Sequence, residues 1–131
     1  MVLVDTSVWI EAFRRPLRVV LEQHVAFDDV VTCLPVVQEV LQGFRDEAAF
    51  TRARRGMLAL PIVDSPLGED VFLHAADLYR AGRRAGVTIR SSVDCLIAAS
   101  AIRHHLEVLH HDRDFDEIAK VSTLRSRRVT L

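Results

Sequence analysis

Apolar positions change their spacing several times along this chain, and each change marks an element. Val2-Leu3-Val4 is a short apolar run that stops at Asp5-Thr6-Ser7, which supplies both a strand end and a helix cap. A helix follows through Val8, Trp9, Ile10, Ala12 and Phe13. Pro16 kinks or restarts it, and Leu17, Val20, Leu21 and Val25 continue with helical spacing. After a turn at Asp28-Asp29, residues 30–34 predict a second strand. Pro35 suits a first helical position, so residues 36–44 predict a helix with Val36, Val37, Val40 and Leu41 inward. Residues 46–60 predict another, with Phe50, Ala53, Met57 and Leu60 set against an Arg52, Arg54, Arg55 face. Ile62-Val63 is a very short strand, and Asp64-Ser65-Pro66 behind it is a turn.

Residues 68–84 carry a long amphipathic pattern with small residues in its apolar stripe, which admits a close helix partner, within the chain or across a homodimer; Gly86 is its stop. Ser91 and Asp94 have capping-box spacing at the head of a helix that is apolar around most of its circumference as far as Ile102. Residues 106–109 form a short strand, followed by acids at alternate positions, Asp112, Asp114 and Asp116. A turn of helix at 115–119 and an edge strand at 127–131 complete the series. This order predicts an α/β fold of three layers, α/β/α, with a short, mostly parallel central sheet in a single domain, 1–131.

Composition narrows the class. At 131 residues, half of them hydrophobic, the chain can bury one core and is short for two. Cys33 and Cys95 lie in apolar contexts without C-x-x-C spacing, which favours buried thiols over a disulfide or zinc site. No leader pattern and no apolar run of membrane-spanning length occur, so a cytoplasmic protein without membrane attachment is expected. Net charge is −1, yet sixteen of seventeen basic residues are Arg. Clustered guanidinium groups suit phosphate, although a coding bias toward Arg would leave the same trace.

Four acids, Asp5, Glu39, Asp94 and Asp112, fall at strand ends or helix starts that such a topology gathers at one rim. Carboxylates brought together repel and raise one another's pKa unless a cation joins them, and the chain's one Lys, Lys120, lies elsewhere. A hard divalent ion resolves the conflict, and Mg²⁺ with oxygen ligands suits metal-assisted hydrolysis of a phosphodiester. Arg90 is the guanidinium nearest this rim in the predicted order and the choice for a phosphate contact. His110 and His111 flank the acidic loop, but adjacent residues of an extended chain point to opposite sides, so at most one faces the site. Phosphatases of the haloacid dehalogenase type and receiver domains also place acids at strand ends. Both need a Lys, and the phosphatases need a second Asp where this chain has Ser7.

Val4-Asp5-Thr6-Ser7-Val8-Trp9-Ile10, Val37-Gln38-Glu39-Val40-Leu41-Gln42-Gly43, Ser91-Ser92-Val93-Asp94-Cys95-Leu96-Ile97-Ala98-Ala99 and His111-Asp112-Arg113-Asp114-Phe115-Asp116, taken together and in order, resemble a PIN domain of the VapC toxin type. The resemblance implies an endoribonuclease that uses Mg²⁺, or Mn²⁺ in its place, acts on structured RNA, often tRNA, and is neutralised by a VapB-type antitoxin. It implies Asp5 and Asp94 as principal metal ligands and Asp112 as a direct or water-mediated one. Glu39 would orient or deprotonate the attacking water, or help hold a second ion; Thr6 or Ser7 would support Asp5, Asp114 would support the loop, and Phe115 would anchor it. An antitoxin groove is expected near Trp9, Phe13, Leu17, Phe44 and Phe50. The competing expectation is a non-catalytic PIN module that binds RNA or protein.

Overall fold

The computed structural model describes residues 1–131. Val2–Val4 (β1) is the centre of a five-stranded sheet, between Val30–Cys33 (β2) and Glu107–His110 (β4). Ile62–Val63 (β3) and Arg125–Arg128 (β5) form the edges, in the order β3-β2-β1-β4-β5. Every pairing is parallel. The chain winds outward from β1 through β2 and β3, then crosses to β4 and β5 on the other side. β1 and β4 thus form the topological switch point, where a sheet of this kind takes ligands in the crevice beyond the carboxyl ends of its strands.

Along β2 and β4, neighbouring residues point to opposite faces, yet Val31, Thr32, Cys33, Val108, Leu109 and His110 are all buried. Both faces of the sheet are therefore covered. Helices Thr6–Phe13 (α1), Leu34–Gln42 (α2) and Glu47–Leu58 (α3) pack in succession. Glu69–Arg84 (α4), Ser92–Arg103 (α5) and Arg113–Lys120 (α6) pack with one another, and α2 also meets α5. The small-residue stripe of α4 is spent inside the molecule: a Cβ on Gly82 would meet Ile89 Cδ1 at 2.7 Å. Cys33 and Cys95 are buried free thiols, pushed up by burial to about 12 and about 11.

Two expectations fail here. The helix does not resume after Pro16: α1 ends at Phe13, and only short 3₁₀ turns at Leu21–Gln23 and Phe27–Asp29 follow. Of the apolar residues that this segment buries, Leu21 and Val25 are a helical four apart, but Val19 lies two before Leu21 and breaks the spacing. Instead, buried Glu11 gathers Arg14 and Arg18 at 3.3 and 3.4 Å and draws the chain back across the end of α1. The last strand is also earlier than predicted. β5 comprises Arg125–Arg128, without an apolar residue, and its pairing with β4 is accompanied by Arg127–Glu107 and Arg128–Asp116 ion pairs at 3.1 and 2.7 Å. Charge on an exposed edge strand discourages further strand addition, as expected for this edge.

Candidate metal centre

The Asp residues of the crevice stand where a strand stops or a helix starts, and Glu39 lies one turn inside α2. Asp5 caps α1, with Oδ2 accepting from the Ser7 backbone N–H at 3.0 Å and from its hydroxyl at 2.5 Å. Its own N–H still belongs to the sheet and donates to Leu109 O at 2.9 Å. The side chain is thus fixed by both strand and helix, and the helix dipole favours a carboxylate there. Asp5 is 2 % exposed, and its Oδ1 has no hydrogen-bond partner. Burial pushes its carboxyl up to about 6, against the lowering pull of Ser7.

Asp94 is the third residue of α5, and Ser91 Oγ accepts from its N–H at 3.4 Å, the first half of the predicted capping box. The second half comes from elsewhere. Asp114 Oδ2, rather than Asp94, accepts from the N–H groups of Ser91 and Arg90, at 2.8 and 3.1 Å. Asp94 is thereby free of the capping task; it is 5 % exposed, with Oδ2 unpartnered. Burial first, and then the charges of Asp5 and Asp112, push its carboxyl up to about 9.

Asp112 caps α6, its Oδ1 accepting from the Asp114 N–H at 2.9 Å. One oxygen from each of Asp94, Asp112 and Asp114 lies within 4.8 Å of the others. Asp114 was expected to support the loop. It does so, and it also belongs to this trio, with a buried Oδ1 that lacks a hydrogen bond and has Arg90 Nε 3.6 Å away. Glu39, half-buried one turn into α2, accepts from Thr6 Oγ1 at 2.9 Å through Oε1, and its charge contributes to raising Asp5. Asp5 and Glu39 are not members of the close trio; Asp5 acts on Asp94 through its charge, and Glu39 acts on Asp5.

Both histidine rings beside the acidic loop are engaged within the fold. His110 is fully buried against Phe115, ring centroids 5.3 Å apart, and its Nδ1 accepts from the Asp112 N–H at 3.2 Å. Burial holds its imidazole below the usual value, so the neutral ring serves as acceptor. His111 Nδ1 donates to Val129 O at 2.9 Å. Asp64, with φ of 52°, is the turn acid expected and bonds to His104 at 3.0 Å.

The donors fit a divalent cation. Five buried carboxylate oxygens have no hydrogen-bond partner; Glu11 Oε2, Asp64 Oδ2 and Asp114 Oδ1 each face an Arg, at 3.4, 3.9 and 3.6 Å, whereas Asp5 Oδ1 and Asp94 Oδ2, both in the crevice, face none. Buried carboxylates are otherwise found paired or bonded, and a hard oxygen-ligated ion supplies what these two lack.

Residues 2–121 match the family described as PIN domain. The chain belongs to the PIN-domain family. Among relatives of this PIN domain are VapC ribonuclease Mb1587 of Mycobacterium bovis and ribonuclease VapC11 of Mycobacterium tuberculosis. Each is 41 % identical over 133 residues, which span 96 % of this chain and 97 % of theirs. The solved VapBC2 from Rickettsia felis, bound to a DNA fragment from its promoter, superposes with a TM-score of 0.78 at 14 % identity, covering 99 % of this chain and 100 % of that one. VapBC-5 from Mycobacterium tuberculosis gives a TM-score of 0.73 at 21 % identity, covering 98 % of each chain. At those identities the structural likeness carries the fold, and the acids above carry the chemistry.

Away from the acids, this PIN domain has an apolar cavity of about 440 Å³, lined chiefly by Trp9, Phe13, Phe27, Phe44, Met57 and Leu60, with Arg15 and Arg52 also present. Trp9 is mostly core, its Nε1 donating to Val4 O at 3.1 Å. Phe13 is the exposed ring between Trp9 and Phe44, at 5.7 and 5.5 Å. The groove expected near α1 is therefore present with a changed lining: Phe27 replaces Leu17 and Phe50.

Proposed function

We propose that the protein is the toxin of a type II toxin–antitoxin pair, an endoribonuclease that hydrolyses RNA phosphodiester bonds with Mg²⁺, or Mn²⁺ in its place. Its substrate on this reading is tRNA, and a VapB-type antitoxin neutralises it. The observation that carries the reading is the pair of unpartnered, buried carboxylate oxygens on Asp5 and Asp94 in a chain 41 % identical to VapC ribonucleases. No helix is long and apolar enough to cross a membrane. On the toxin–antitoxin reading the protein is cytoplasmic and a homodimer, one that does not use the α4 stripe, since that stripe packs inside the molecule.

Asp5 and Asp94 would hold the cation, with Asp112 and Asp114 completing its shell directly or through water. Bound there, a divalent ion supplies Lewis-acid stabilisation of the charge that grows on the phosphodiester. Glu39 has one oxygen engaged by Thr6, which leaves Oε2 to orient a water and take its proton as that water attacks phosphorus. The P–O bond opposite breaks, and the leaving oxygen is protonated from solvent. Incubating the purified protein with total tRNA is expected to give discrete cuts with Mg²⁺ and none with EDTA. Absence of metal-dependent cleavage of any RNA would overturn the reading.

Arg90, its side chain 60 % exposed beside Asp114, is positioned to meet a substrate phosphate. Arg90→Gln is expected to raise KM about tenfold with kcat changed by less than about threefold. Steady-state kinetics on a defined RNA separates the two, and an unchanged KM would remove Arg90 from the substrate contacts.

The apolar groove suits the apolar face of an antitoxin helix, with acidic residues beside it to meet Arg15 and Arg52. Phe13→Ala is expected to weaken antitoxin binding by about 30-fold or more while RNA cleavage by the free toxin is retained. Titration calorimetry with the antitoxin checks this, and an unchanged affinity would place the antitoxin elsewhere.

A further inference from the structure

Val129 is the third residue from the end of the chain and is 1 % exposed. Its backbone is held on both sides by the two histidines that precede the acidic loop. Its N–H donates to His110 O at 2.7 Å, and its carbonyl accepts from His111 Nδ1 at 2.9 Å. A carbonyl cannot donate, so Nδ1 carries the proton, in the neutral ring or the charged one.

From the same residue the contacts run on to the acids. The His111 N–H donates to Ser7 Oγ at 2.9 Å, and Ser7 Oγ lies 2.5 Å from Asp5 Oδ2. With one lone pair of the hydroxyl taken by that N–H, its proton points at the carboxylate. The hydroxyl joins the Ser7 N–H, 3.0 Å away, on Asp5 Oδ2, and Oδ1 is the oxygen left without a partner. Three hydrogen bonds link the chain's end to the orientation of one carboxyl group. The final partner, Val129, lies beyond the segment 2–121 that matches the family.

We propose that His111 is a positioning residue: its ring, held by the Val129 carbonyl, places the backbone N–H that orients Ser7, and Ser7 sets which Asp5 oxygen faces the cation. The inference rests on the metal-centre reading above. It makes the C-terminal residues part of the site's support, though none of them touches a carboxylate of the crevice. Hydrogen-bonded groups behind a metal's ligands tune its binding as well as hold the fold.

The test compares His111→Phe, which keeps a ring and loses the donor, with His111→Asn, whose amide nitrogen also branches from Cγ and can donate to the same carbonyl. Binding of Mn²⁺ alone is followed by titration calorimetry on the full chain, and RNA cleavage with Mg²⁺ is followed in parallel. His111→Phe is expected to weaken Mn²⁺ about tenfold and lower kcat by about 10- to 100-fold, with KM within about threefold. His111→Asn is expected to restore both to within about threefold, and in a Ser7→Ala background His111→Phe should add less than about twofold. A folded His111→Phe protein with unchanged Mn²⁺ affinity would overturn the proposal, as would full loss in the Asn variant or independent, multiplying effects with Ser7→Ala. If the Phe variant does not fold, His111→Ala takes its place in the same comparison. Weakened Mn²⁺ binding in variants of a protein that cuts no RNA would sink the nuclease reading and leave His111 in this role. Intact Mn²⁺ binding beside normal cleavage would do the reverse.

Discussion

Asp94→Asn is expected to lower RNA cleavage by about 10³-fold or more and, in the same protein, to raise the melting temperature of the metal-free form. The two effects share a cause. Asp94 is 5 % exposed, its Oδ2 has no partner, and Asp5 and Asp112 oppose its ionisation. Without a cation the folded chain retains a proton on this carboxyl that the unfolded chain gives up, a cost of folding at neutral pH. Asn has the same shape and no such cost. In EDTA at pH 7.5 the gain should be about 5 °C, shrinking toward zero near pH 4, where the unfolded acid is also protonated. Added Mg²⁺ should stabilise the wild type and leave the variant unmoved. Calorimetric scans with and without EDTA, beside a cleavage assay, decide the matter. A variant that melts lower in EDTA at pH 7.5, or that still cuts at the wild-type rate, would show that Asp94 serves the fold rather than an ion.

Much of this site is legible in the chain because its acids sit at punctuation marks. Asp5 ends an apolar run, Asp94 stands three residues after Ser91, and Asp112 follows a short apolar run; all three are helix caps or first-turn acids in the structure. Local rules therefore place them at the sheet's carboxyl edge. What local rules cannot show is which acid takes which hydrogen bonds. Asp114 reaches back 23 and 24 residues to the N–H groups of Ser91 and Arg90, and this long-range cap releases Asp94. The bond from His111 to Ser7 spans 104 residues. No spacing pattern encodes either, since both depend on which loops the strand order makes neighbours. The segment after α1 fails for a related reason. Its apolar residues satisfy a helical count, but the salt bridges to buried Glu11 and the requirement to reach β2 dictate a different path, which brings Phe27 rather than Leu17 into the groove. β5 is legible only as an edge. Four residues without an apolar side chain become a strand because β4 offers a free edge with Glu107 on it and Asp116 nearby.

Stripped of divalent ions, the wild-type protein should lose stability as pH rises from 6.5 to 8.5, contrary to the usual behaviour of paired carboxylates. The sign follows from the shifts. An ordinary Asp titrates near about 3.9 in an unfolded chain. Folding raises Asp5 to about 6 and Asp94 to about 9, so between those values and the unfolded one the folded state binds more protons. Stability then falls with rising pH, for Asp5 up to about 6 and for Asp94 across the whole interval to about 9. His110 acts in the opposite sense. Burial lowers its folded value, so its contribution is complete above the unfolded value of about 6.5 and is lost only on acidification. Cys33 and Cys95, raised to about 12 and about 11, add a further fall only where unfolded thiols begin to ionise, near about 8.5. From pH 6.5 to 8.5 the slope is therefore chiefly that of Asp94. Saturating Mg²⁺ binds the ionised native state, which should flatten the slope and raise the melting temperature most at the alkaline end. Asp94→Asn in EDTA should be nearly flat over the same interval. Melting curves at half-unit pH steps, with EDTA and with Mg²⁺, measure all three slopes. A wild-type curve in EDTA that is level or climbs with pH would mean that the crevice holds its charges without help, and the case for an ion among these carboxylates would fail with it.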